Sequence, residues 1–257
     1  QIKMGRVKIK RKSTLIDMTA MSDVTVLLLT FFMLTSTFLQ KEPVTVVTPS
    51  SVSDQAVPAN NLVTTLVDTE GHVYLSITGA KSMSSDTVRM KVLQKAVAKY
   101  DKLHNTNIAG QITEEMMVKF GALNMFGCKI ADLPKFLNLS PTDQDLALKP
   151  GDVPFEGIVP GIPIDGSKQF ETRPNEYQIW MTAYYDLAKD IPCEVEKSDG
   201  SIDKNGNVRD LVRQGKVIAV KADASTAYSV VSVVMDNLRT MKMNKFTLMT
   251  SLKQKGN

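Results

Sequence analysis

Residues 1–12 mix isolated apolar residues with lysine and arginine, and the longest apolar run of the chain follows soon after. From Val24 to Leu39, sixteen residues carry no charge and are mostly Leu, Val, Phe, Met and Thr. Counted back to Thr19 the segment has 21 residues, about 31 Å as a helix at ~1.5 Å per residue. A bilayer hydrocarbon core is about 30 Å thick. The pattern predicts one transmembrane helix over residues 19–39. A signal peptide shares the basic-then-apolar order, but residues 36–42 lack a small-x-small cleavage pattern.

Beyond the run the rhythm changes. Residues 40–60 carry Pro43, Pro49 and Pro58 among Ser, Thr and Val, which predicts an extended linker rather than packed structure. Leu62–Val67 and His72–Ile77 flank Asp68-Thr69-Glu70-Gly71 and read as a hairpin. Val88, Val92, Leu93, Ala96, Val97, Tyr100 and Leu103 recur at helical spacing, with Asp86 as the expected cap. Thr113–Phe120 opens on a helix-start signature, and Ala131–Leu137 suggests a second short helix. Residues 150–166 are rich in Pro and Gly and predict an irregular loop. The aromatic stretch Asn175–Lys189 fits strand or helix. The clearest pattern comes last. Val217–Lys221 reads as a strand, Asp223 or Ser225 as a cap, and Tyr228, Val231, Val234, Leu238 and Met241 as one helix face.

These elements predict an α+β fold: a single N-terminal transmembrane helix, a Pro-rich linker, and an outer domain with helices on one face of a mixed β-sheet. The expected organisation is a basic segment over 1–18, the helix over 19–39, the linker over 40–60 and the outer domain over 61–257.

Charge orients the chain. Six of its cations lie in residues 1–12, and removing them turns the net charge from +4 to −2. The outer domain is therefore not basic, which argues against nucleic acid as a partner. The basic cluster before the helix places the amino terminus in the cytoplasm and everything from about Gln40 across the membrane. Two histidines, His72 and His104, are too far apart for a paired metal motif, and no phosphate loop, nucleophile elbow or calcium loop is present. No metal or cofactor is expected, and no enzymatic chemistry. Cys128 and Cys193 could pair in an oxidising compartment or stay as two free thiols; the sequence leaves both open.

Asp23 is the most informative residue. A carboxylate at the centre of a membrane helix costs about 2.5–3.5 kcal/mol, less toward the ends. At about 100° per residue Thr19, Asp23, Thr30 and Thr37 fall within roughly 40° of one another. Hydroxyls along such a stripe can carry water, and the carboxyl can load and release a proton.

The segment Ile16-Asp17-Met18-Thr19-Ala20-Met21-Ser22-Asp23-Val24, continued by Thr25-Val26-Leu27-Leu28-Leu29-Thr30-Phe31-Phe32-Met33, resembles the ExbD/TolR family. Ala20 stands where that family usually has proline, and the Leu-rich form is similar to Bacteroidetes members. Val44-Thr45-Val46-Val47-Thr48-Pro49 resembles the family's linker motif, and residues 216–251 resemble its strand–helix–strand end. The resemblance covers roughly 1–79 and 216–251, leaving about 80–215 as an insertion whose role is unread. It implies a bacterial inner-membrane location, with the C-terminal domain periplasmic. It also implies a subunit of a proton-motive-force-driven motor with protons as the coupling ion, Asp23 as the carrier and Thr19, Thr30 and Thr37 lining the path. Val44, Val46 and Pro49 would form a partner-binding linker. Implied partners are an ExbB-like channel ring enclosing a homodimer and a TonB-like energy transducer serving outer-membrane transport. A TolR-like subunit tethered to peptidoglycan, or a membrane-anchored binding module without proton transfer, are the alternatives.

Overall fold

The computed structural model describes residues 18–35, 44, 46–48, 50–51, 60–151, 153–197, 200–249 and 251–252 of the 257. The chain divides into two compact units, residues 1–41 and 42–257. The first contributes helix α1, Met18–Thr35. Its 18 residues rise about 27 Å, and among the described residues no helix is long and apolar enough to cross a membrane. The expected extension to Leu39 lies outside the described residues.

The second unit starts with β1 (Ser50–Ser51) and the hairpin β2 (Val63–Val67) and β3 (Val73–Ile77). A helical stretch follows: α2 (Ser85–His104), α3 (Glu114–Ala122), α4 (Leu133–Asn138), α5 (Pro141–Leu148) and α6 (Glu176–Ala188). The small hairpin β4 (Val195–Glu196) and β5 (Ile202–Asp203) precedes α7 (Val208–Gln214). The chain closes with β6 (Ile218–Ala222), α8 (Tyr228–Thr240), β7 (Thr247–Leu248) and β8 (Ser251–Leu252).

The main sheet runs β3-β2-β6-β7 and is mixed, as the pattern predicts. β2 pairs antiparallel with β3, Val67 opposite Val73, and parallel with β6, Val63 opposite Ile218. β6, α8 and β7 form a βαβ unit whose strands pair in parallel, Ala219 opposite Thr247. Parallel neighbours need a long crossover, and the whole segment between β3 and β6 supplies one. That segment is not an appended lobe. Its α2, α3 and α6 share one hydrophobic core with the sheet. Phe120, Phe126 and Trp180 stack there, with ring centroids 4.7–5.8 Å apart. Three tyrosines fasten it to the hairpin: Tyr177 Oη bonds Thr65 Oγ1 at 2.9 Å, Tyr184 Oη donates to Asn61 O, and Tyr74 Oη donates to Leu148 O. The buried Arg89 donates to Ile77 O and Gly121 O, each at 2.8 Å, joining the end of β3 to α3.

Several local expectations are corrected. Ser84, not Asp86, caps α2 by accepting from Thr87 N–H. Residue Ala227 occupies the cap position of α8, so neither Asp223 nor Ser225 serves there. Tyr228 is exposed, and the buried positions of that helix are Val234, Asn237 and Leu238. The ambiguous aromatic stretch is helical, started by a capping box between Asn175 and Gln178. Both cysteines are free, Cys128 buried and Cys193 half-buried. The linker is the largest correction. Val44 and Val46 are buried in the outer domain's core, and β1 pairs in parallel with β8, Ser50 opposite Ser251. Full burial of a valine side chain is worth about 1.5–3 kcal/mol, enough to outweigh the extended tendency of the prolines nearby.

Candidate functional site

Asp23 lies inside α1, one and a half turns from its first residue, and is exposed. Thr19 and Thr30 are exposed on the same helix. Thr30 Oγ1 donates to Leu27 O at 2.9 Å, which satisfies the proton and leaves the oxygen's lone pairs for a further donor. Thr25 makes the equivalent bond to Met21 O at 2.6 Å. Thr37 lies outside the described residues. Apolar residues dominate the rest of the helix: Val24, Leu27, Phe31 and Met33 are each more than half exposed. A helix apolar on nearly all sides calls for lipid or protein cover.

In the second unit the linker is held by a clamp absent from the sequence reading. Val47 N–H donates to Asp223 Oδ2 at 2.8 Å, and Ala224 N–H donates to Val47 O at 2.8 Å. Asp223 also accepts from Ser225 Oγ and Ser225 N–H. These donors, Ser225 first and Val47 after it, hold the carboxyl below its usual range. The Asp-x-Ser spelling is an Asx-turn signal, which marks the turn but not the residue 176 positions earlier that it captures. Of the three expected linker contacts, Val44 and Val46 are thus engaged within the chain, and Pro49 lies outside the described residues.

A third cluster sits at the hairpin turn. The buried Asp68 accepts from Glu70 N–H, His72 N–H and Tyr74 Oη, and its Oδ2 lies 3.0 Å from His72 Nδ1. Its backbone carbonyl accepts from Thr226 Oγ1, just before α8. Among the described residues no three His, Cys, Asp or Glu gather as metal ligands.

Compared with family models, residues 10–122 match the biopolymer transport protein ExbD/TolR. Over those residues, less than half of its length, the chain is similar to that family. The matched region takes in Asp23, the linker, the hairpin, α2 and α3, so it reaches further into the helical stretch than the sequence motifs suggest. It stops before residues 216–251, whose place in the fold rests on the pairing of β6 with β2. No match was found among curated proteins or among solved structures. ExbD/TolR proteins are inner-membrane, non-enzymatic transport subunits that work with ExbB/TolQ and TonB/TolA partners.

Proposed function

We propose that this protein is an ExbD-like subunit of a proton-driven inner-membrane motor, with Asp23 as the group that carries the proton. The observation that carries the reading is a lone carboxylate on a helix of exposed apolar residues, inside the matched segment. Ionised, such a group avoids an apolar surface; protonated, it tolerates one. Proton entry from one side and exit on the other then bias the position of the helix within an ExbB-like ring. Two copies fill the ring, and Thr19, Thr30 and Thr37 line the hydrated path. The basic amino terminus stays in the cytoplasm and the α+β domain stands in the periplasm, where it passes motion to a TonB-like transducer of outer-membrane transport. Val44 and Val46 reach that partner only by leaving the core, so linker release is part of coupling.

The test is proton flux through proteoliposomes holding this chain with its polytopic partner, wild type against Asp23→Asn. Flux abolished in the variant, with the complex still assembled, is the expected result. Equal flux in both would overturn the reading.

A further inference from the structure

A groove of about 610 Å³ opens beside the hairpin turn, between β3, the loop 159–165 and the first turns of α8. Its apolar lining includes the exposed Val159 and the half-buried Val230 and Val233; Val73 and Ile162, also in the lining, are buried. Its polar residues are His72, Lys129, Ser229 and Asp165.

His72 is held in place from three directions. Asp68, nearly fully buried, fixes the ring through Nδ1. Gly161, at φ +93°, packs so closely that an added Cβ would lie 3.0 Å from His72 Cβ and 3.2 Å from Cδ2. The backbone N–H of His72 is bound by the same carboxylate. With Nδ1 committed to Asp68, the ring's second nitrogen, Nε2, has no hydrogen-bond partner among the described residues, and the side chain, 27% exposed, lines the groove. An Asp–His pair that leaves one nitrogen open is the arrangement that orients an imidazole toward a ligand. A metal is not that ligand, since no second and third donor stand nearby among the described residues.

We propose that the groove binds an alkyl chain ending in an oxyanion, with the chain on the apolar walls and the oxyanion between His72 Nε2 and Lys129. Protonated His72 presents Nε2–H as a donor, and the carboxylate of Asp68 behind it balances the new charge. Lys129 is exposed, lines the same groove and adds a second cationic donor. The ionisable groups beside the imidazole are Asp68 and the exposed Glu70, 3.9 Å from Nδ1, with Tyr74 bonded to Asp68; Lys129, which also interacts with Glu176, and the exposed Asp165 line the groove. This inference does not depend on the motor reading.

The probes are hexanoate, hexyl phosphate and neutral hexanol, added to the full chain in nanodiscs. The readout is the imidazole NMR signal of His72, assigned against His104→Gln because the chain has only two histidines. Charge-assisted bonds predict that, tested near pH 6 and near pH 8, the anions shift the His72 signal and bind at least about five-fold more tightly than hexanol. The stronger of the two anions tells a carboxylate ligand from a phosphate one. Lys129→Gln, an exposed change that spares the fold, weakens both several-fold. Silence of His72 up to about 10 mM of either anion at both pH values, a range that covers weak ligands, would overturn the proposal. So would unchanged anion binding in His72→Gln, read on the methyl signals of Ile162 and Val233.

Discussion

Helices α1 and α6 are both rich in large apolar residues, yet they resolve that burden in opposite ways. In α6 nine residues are buried, among them Tyr177, Trp180 and Tyr184, and the helix forms part of the core of its own unit. In α1 the apolar residues from Val24 to Met33 stay exposed, with Leu27 and Leu29 at 61%. Helix α6 buries its apolar residues within its own unit; helix α1 leaves them exposed. Polar residues make the same contrast. Buried Gln178 of α6 closes a capping box, whereas Asp23 of α1 is an exposed carboxyl among exposed apolar residues.

The sharpest way to break this comparison is to remove the aromatic centre of the outer unit. Trp180→Ala should cost about 3–5 kcal/mol of unfolding free energy, the usual range for an aromatic truncated in a core, measured by urea denaturation of the full chain. A loss below about 1 kcal/mol would mean that α6 does not pack as described.

A smaller effect comes from Glu176 in the first turn of α6. Burial raises its carboxyl above the ordinary 4.5, and the Ile130 N–H bond at 2.6 Å opposes that rise. A raised carboxyl binds its proton more tightly in the folded chain than in the unfolded one. Its contribution is therefore fully present below about pH 4.5 and is lost as pH rises through the folded value. Glu176→Gln should flatten that part of the stability–pH curve, read from thermal midpoints across the acid range.

The smallest effect belongs to α1. Leu28→Ala should leave the outer unit's unfolding free energy within about 0.5 kcal/mol of wild type, as for surface substitutions generally. Its effect should appear instead in membrane association, followed by flotation with liposomes. A larger destabilisation would tie α1 to the outer unit's folding and erase the contrast.

The two helices also differ in how plainly they read. α1 declares itself because an uninterrupted apolar run needs no period to be noticed. α6 reads ambiguously because residues buried all round leave no period; Asn175 and Gln178, its capping box, were the usable local signal. The hairpin was legible from alternation around Asp68–Gly71, and the observed strands differ from expectation by one residue at the start of each. α5 and α7, 8 and 7 residues long, went unread, although the shorter α4 was anticipated over Ala131–Leu137. Docking of Val44 and Val46 was illegible for another reason. Its partners come from the far end of the chain, with Asp223 176 positions from Val47, and local composition spoke only for an extended backbone. Among the candidate site residues Asp23 was readable from its apolar neighbours alone. The Asp68–His72 pair was not, because only the turn brings the two side chains together.

The central claim is that Asp23 exchanges a proton in an apolar setting. A hydrophobic carbodiimide reacts with a carboxyl in its protonated form, so it reports that state directly. In membranes holding this chain with its ring partner, peptide mass analysis should find Asp23 labelled, labelling should fall as pH rises, and proton flux should fall in step with it. An unlabelled Asp23, or full labelling with flux intact, would contradict the account.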